Sequence, residues 1–173
     1  VSGLSLNFNR VHFEWKRASN GYSVTMDARS TAHRPAVTIA RMAIARREVP
    51  VYTYSDGGDH DAWTVASGAL GNGGARWLPV RKPEAYAGEV FASFARSHGI
   101  VLKPGGAVTR APQGEALVVD RSAALTEVLR DMLKYSNNLT AEMAGLSATV
   151  ARGTSPASLK ESASEMSDWA ARA

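Results

Sequence analysis

Hydrophobic and polar positions alternate along the first third of the chain. Val11, Phe13 and Trp15 point one way between polar neighbours, and Tyr22, Val24 and Met26 repeat the pattern. The Asn20-Gly21 pair between these runs predicts a hairpin, because both residues tolerate the positive φ of a tight turn. Leu4, Leu6 and Phe8 alternate in the opposite phase, which predicts a bulge or bend near Asn9. Further strands are expected at Val37–Ala45, Val51–Tyr54, Ala62–Ala66 and Arg76–Val80.

After Pro79 the period changes from two to that of a helix. Pro83 suits a first helical turn, and Tyr86, Val90, Phe91 and Phe94 then fall on one face. Gly99 followed by Ile100 predicts a C-terminal cap with its hydrophobic contact. Two short strands are expected around Ala107–Arg110 and Ala116–Val119. From Ser122 onward the chain reads as helical. Leu125, Val128, Leu129, Met132 and Leu133 form one stripe, and Leu139, Met143, Leu146 and Val150 a second. Ser155-Pro156 opens a third helix, with Leu159, Ala163, Met166 and Ala170 on one face. The fold class is therefore α+β, with a β-rich first half and a mostly helical second half.

Composition adds exclusions. Of 173 residues, 45% are hydrophobic and 21% charged, the balance of a folded chain rather than a disordered one. The net charge of +4 is spread along the sequence, unlike the concentrated basic face of a nucleic-acid binder, so no nucleic-acid partner is expected. Such an excess is compatible with weak attraction to an anionic polymer such as a cell wall. The absence of cysteine rules out disulfides, thiolate nucleophiles and zinc–thiolate sites. No apolar run approaches the roughly 18 residues of a transmembrane span, and no signal peptide is visible. The start at Val1, inside strand-like sequence, is that expected of a processed or partial chain.

Most candidate sites have a plain structural explanation. Asp56-Gly57-Gly58-Asp59-His60-Asp61 lacks calcium-loop spacing and reads as a solvated hairpin loop. His12, His33, His60 and His98 show no metal-binding spacing, and His98 falls in the last turn of a helix, where a cation favours the dipole. Gly71-Asn72-Gly73-Gly74 has no Lys-Ser/Thr after it and reads as a turn rather than a phosphate cradle. Trp15, Trp63 and Trp77 read as core. No cofactor or metal is called for. Ser136-Asn137-Asn138 is different: it sets a hydroxyl and a carboxamide two residues apart in a short break between two striped helices. Pattern alone favours simple helix capping, and an S-x-N also occurs at Ser5-Leu6-Asn7. A polar pair anchored on both sides is equally what a catalytic wall requires.

The stretch Lys134-Tyr135-Ser136-Asn137-Asn138-Leu139-Thr140-Ala141-Glu142 resembles the second active-site motif of the class C low-molecular-mass penicillin-binding proteins. These are serine-type D-alanyl-D-alanine carboxypeptidases and endopeptidases. Leu6-Asn7-Phe8-Asn9, Arg76-Trp77-Leu78-Pro79-Val80, Tyr86-Ala87-Gly88 within Pro83–Ile100, and the run from Ser122 to Glu142 resemble the same family in the same order. The resemblance implies a β-rich accessory insertion over residues 1–78. Residues 79–173 would then be a portion of the penicillin-binding (transpeptidase-like) domain carrying the S-x-N motif.

It further implies acyl transfer, in which a serine attacks the D-Ala-D-Ala bond of peptidoglycan peptides, D-alanine leaves and water resolves the acyl-enzyme. Ser136 would relay a proton toward the leaving amine. Asn138 would hydrogen-bond the substrate backbone and hold the catalytic lysine. The partners implied are peptidoglycan peptides and, as inhibitors, β-lactams; the location implied is the periplasm. Two family motifs are missing. The residues three before Lys16, Lys82, Lys103, Lys134 and Lys160 are Phe13, Pro79, Ile100, Asp131 and Ala157, so no S-x-x-K exists, and no K-T-G follows any lysine. The chain is accordingly expected to be the middle portion of a longer enzyme, inactive by itself. A non-catalytic cell-wall-binding or scaffolding module of the same architecture is the alternative.

Overall fold

The alternation at the start of the chain folds as a hairpin of β1 (Arg10–Ala18) and β2 (Gly21–Asp27), with Phe13 opposite Met26 and Trp15 opposite Val24. The two-residue turn is Ser19-Asn20. Gly21 opens β2 at a φ of 124°, which a residue without Cβ adopts at no steric cost. The computed structural model describes residues 4–103, 108, 110 and 113–172. They belong to two units, Ser2–Arg110 and Ala111–Ala173.

In the first unit β6 (Gly73–Pro79) pairs antiparallel with the other side of β1, giving the order β2-β1-β6. The glycine run is thus half turn and half strand, and Gly74 has a packing role. A Cβ there would lie 2.6 Å from the Trp15 ring, whose Nε1 donates to the Leu70 carbonyl at 2.7 Å. A second sheet has the order β3-β5-β4. In it β3 (Ala40–Ala45) runs parallel to β5 (Asp61–Ala66), and β4 (Tyr52–Asp56) runs antiparallel to β5.

Val11, Phe13 and Leu78 of the first sheet share one core with Trp63 and Val65 of the second and with Ile39, which precedes β3. Helix α1 (Pro83–Ser97) buries Tyr86 completely in it, together with Val90. Each such side chain contributes about 1.5–3 kcal/mol by leaving water. Polar bonds fix the helix as well. Tyr86 Oη donates to the Arg10 carbonyl at 2.8 Å, and the Glu89 carboxylate accepts from the backbone of Thr38 (2.6 Å) and Ile39 (2.9 Å). Gly99, at φ 79°, ends the helix.

Several expectations require correction. Phe91, placed on the apolar face of α1, is 66% exposed; the buried face is Pro83, Tyr86, Ala87 and Val90. Ile100 is also exposed rather than packed under its cap. Ala116–Val119 forms no strand: Leu117, Val118 and Val119 are exposed, and no described residue pairs with their backbone. Of the other expected strand, Ala107 and Thr109 lie outside the described residues. Trp77 is exposed, unlike Trp63. Asp61 is fully buried at the head of β5, whereas Asp56 and Asp59 remain solvated as expected.

The bend near Asn9 is sharper than a bulge. Asn7, Phe8 and Asn9 take φ values of 52°, 57° and 50°, a left-handed turn that costs roughly 1–2 kcal/mol per residue. Tertiary bonds hold it: Asn7 Nδ2 donates to the Arg29 carbonyl (3.0 Å), and the Val80 N–H donates to the Asn9 carbonyl (2.8 Å). Arg10 stacks on both Phe8 and Trp77, 5.0 Å from each ring.

Beside it, Arg29 grips Asp27 with two nitrogens (3.1 and 2.9 Å) and Glu14 with the third (2.8 Å), holding the Glu14 carboxyl below its usual range. His12 lies buried next to this network, edge-on to Trp77, and its Nδ1 has no hydrogen-bond partner among the described residues. Burial, reinforced by Arg29, lowers its pKa from the ordinary 6.5. The unfolded chain therefore binds a proton at His12 that the folded chain refuses, so this contribution is complete above about pH 6.5 and declines as pH falls toward the folded value. Urea denaturation is expected to show lower stability at about pH 5 than at about pH 7, with His12→Phe flattening that dependence. An unchanged slope in the variant would assign it to other groups.

Candidate active site

The second unit contains α2 (Leu125–Tyr135), α3 (Asn138–Ala151) and α4 (Leu159–Ala170). The third helix starts later than Ser155-Pro156 suggests, because Ser158 is its cap. The Ser158 hydroxyl accepts from the Glu161 N–H at 3.2 Å, and Glu161 in return accepts from the Ala157 N–H at 2.8 Å. Helices α3 and α4 approach closely at Gly145, where a Cβ would meet Met166 Sδ at 2.8 Å. The Thr149 and Ser162 hydroxyls bond each other there at 2.8 Å, both buried. Ser162 of that pair, rather than the expected face of Leu159, Ala163, Met166 and Ala170, is the buried residue of α4.

Ser136, Asn137 and Asn138 form the junction of α2 and α3, and each has a different backbone task. Ser136 ends α2 in the left-handed region, φ 52° and ψ 50°, with its N–H on the Met132 carbonyl. This is the position at which helices commonly place glycine. Asn137 turns back to extended backbone and caps α3, its Oδ1 accepting from the Thr140 N–H at 3.1 Å. Asn138 is the first helical residue. The capping expected of the motif is thus carried by its middle residue alone. The Ser136 hydroxyl and the Asn138 carboxamide make no hydrogen bond among the described residues, and both residues are exposed at the same junction.

Around them α2 presents apolar surface to solvent, with Leu125 67%, Leu133 77% and Tyr135 69% exposed. Lys134 lies 5.1 Å from the centre of the Tyr135 ring. An apolar groove of about 500 Å³ occurs further along the unit, between α3 and α4, lined by residues such as Thr149, Glu165, Met166 and Trp169. Neither Ser136 nor Asn138 lines it. At about 1.5 Å of rise per residue, Thr149 is roughly 16 Å along α3 from Asn138. Among the described residues no group of three or more His, Asp or Glu is arranged to hold a metal, and no helix is long and apolar enough to cross a membrane.

Sequence reasoning missed the left-handed Ser136. Its signal was the lack of glycine or asparagine where α2 had to end before Asn137 could start the next helix.

Residues 1–168 match the D-Ala-D-Ala carboxypeptidase 3 (S13) family, and the chain belongs to it. A search of curated proteins returned no match.

Proposed function

We propose that this chain is the portion of a periplasmic, serine-type D-Ala-D-Ala carboxypeptidase/endopeptidase that supplies the S-x-N wall of its acylation cleft. Membership of the S13 family supports peptidoglycan peptides as substrates. The observation that carries the assignment of residues is the junction itself. Strained backbone in a folded protein marks positions kept for something other than local stability. Ser136 occupies left-handed backbone with a free hydroxyl, while the neighbouring Asn137 discharges the capping duty. Asn138 projects from the first turn of α3, where the helix fixes its backbone.

In this reading Ser136 passes a proton toward the departing D-alanine amine, and Asn138 hydrogen-bonds the substrate backbone and the catalytic lysine. The nucleophilic serine and that lysine, which no S-x-x-K here supplies, belong to chain outside these residues, as does the K-T-G strand. Residues 1–78 are then the end of an accessory insertion of the class C penicillin-binding type, and residues 79–173 part of the catalytic domain. The exposed Leu125, Leu133 and Tyr135 are surface that the remainder of that domain covers.

The test is covalent labelling with a fluorescent penicillin. The complete protein is expected to form an adduct and residues 1–173 to form none. A complete protein that carries all three motifs yet never labels would overturn the reading. The missing motifs favour one alternative, a non-catalytic cell-wall-binding or scaffolding module, and an intact gene lacking S-x-x-K would select it.

A further inference from the structure

Three arginines converge in the first unit, remote in sequence from the junction just described. Arg17 lies at the end of β1, and Arg46 and Arg47 follow β3. With Tyr22, Glu48, Ser67 and Gly68 they line an open depression of about 520 Å³. Its size suits one or two anionic groups of a larger ligand.

The charges here are held, and unanswered. Arg47 is half-buried, and neutral oxygens alone fix it: Nε donates to the Pro50 carbonyl at 2.8 Å and Nη2 to Thr64 Oγ1 at 2.7 Å. Thr64 stands directly opposite Thr53 in the β4–β5 pair, so the guanidinium rests on a rigid strand surface. Its Nη1 makes no hydrogen bond among the described residues. Arg17 is set over the Tyr22 ring at 5.7 Å, and Tyr22 is itself tied to the Gly71 carbonyl at 2.8 Å. Arg46 is exposed, and among the described residues neither its side chain nor the Ser67 hydroxyl makes a hydrogen bond.

Glu48 is the one carboxylate lining the depression. It packs on Gly68, where a Cβ would overlap its carboxylate, and forms no ion pair within 4.0 Å among the described residues. A partly buried guanidinium without a counter-charge is an open demand for an oxyanion, which Arg meets with forked, charge-assisted bonds.

We propose that the Arg17–Arg46–Arg47 depression is an oxyanion-binding site that takes a phosphate or carboxylate group of an anionic polymer. Arg47 provides the preorganised fork, and Arg17 and Arg46 close on the anion from the rim. Ser67 adds a neutral donor. Glu48 opposes the ligand and limits its affinity. The site does not depend on the role of Ser136.

The test measures binding of the 173-residue chain to polyphosphate and to polygalacturonate by calorimetry, at about 50 and about 200 mM salt, with affinity expected to fall as salt rises. Arg46→Glu, at an exposed and unbonded position, should weaken binding about tenfold or more, the scale of one charge-assisted hydrogen bond. Arg96→Glu makes the same charge change on the exposed side of α1 and should alter affinity by less than about twofold. Glu48→Gln should tighten binding about two- to threefold. Binding of polyphosphate alone identifies the phosphate source, of polygalacturonate alone the carboxylate source, and of both the shared oxyanion chemistry. Equal losses in Arg46→Glu and Arg96→Glu, or no binding of either polymer at the lower salt, would overturn the proposal.

Discussion

Ser136→Gly is expected to make the complete enzyme more stable and far less active. The two effects have separate causes. Ser136 sits at φ 52°, where an L-residue carries a steric cost of roughly 1–2 kcal/mol that glycine avoids. Among the described residues its hydroxyl makes no bond whose loss would offset that relief. Stability should therefore rise by about 0.5–1 kcal/mol in urea denaturation, after allowing for the extra freedom of glycine in the unfolded chain. Acylation by a penicillin or a D-Ala-D-Ala peptide should fall by about 10²-fold or more, the usual contribution of a positioned proton-transfer group.

Asn137→Ala provides the contrast. It removes the cap of α3 and should cost about 1 kcal/mol of stability while leaving the acylation step largely intact. A purely structural serine would show the gain in stability without the loss of acylation. If Ser136→Gly stabilised the protein and left acylation at the wild-type rate, the proposed proton relay would be eliminated.

The second large effect is on stability. Asp61→Ala should destabilise the first unit by about 3 kcal/mol, read from the urea midpoint at constant m-value. The Asp61 carboxylate is wholly buried; one oxygen accepts from the Arg81 N–H at 2.7 Å and the other from Tyr54 Oη at 3.2 Å. Removing it relieves the desolvation of a buried charge. It also strands the backbone donor that carries the chain from β6 toward α1, and it opens a void beside Trp63. The stranded donor and the void outweigh the relief. Asp61→Asn keeps an acceptor and nearly the same volume, so its cost should be near 1 kcal/mol. Equal costs for the two variants would show that charge, rather than hydrogen bonding, is what this position supplies.

Much of the architecture was legible because local pattern and tertiary environment agree. The alternation of Val11, Phe13 and Trp15 sets which face of β1 meets the core, and Ser19–Gly21 closes the hairpin within a residue of the expected pair. The stripes before and after Ser136 located α2 and α3 through periodicity alone, since neither helix fully buries its stripe. The failures fall where a distant partner decides. Asp61 sits among solvated acids in sequence, and only the approach of Arg81 and Tyr54 makes its burial tolerable. Val118 and Val119 have strand-forming side chains but no neighbouring strand among the described residues, so propensity had nothing to act on. Three successive left-handed residues at Asn7–Asn9 leave no periodic signature, since their support comes from Arg29 and Val80. At the candidate site the hydroxyl–carboxamide spacing was visible. Which of three polar residues does the capping was not, because Ser and Asn are both good caps.

The position of β1 between β2 and β6 bears on how the polypeptide matures as it is synthesised. The β2 flank is available at once, whereas the β6 flank waits until Gly73–Pro79 has left the ribosome. Until β3 and β5 follow, Val11 and Phe13 have no inner layer to rest on, and until β6 follows one border of the ribbon can recruit any passing extended segment. Production of this polypeptide is thus most vulnerable to aggregation after β2 is made, before the parallel β3–β5 pair and α1 arrive to shield the first sheet.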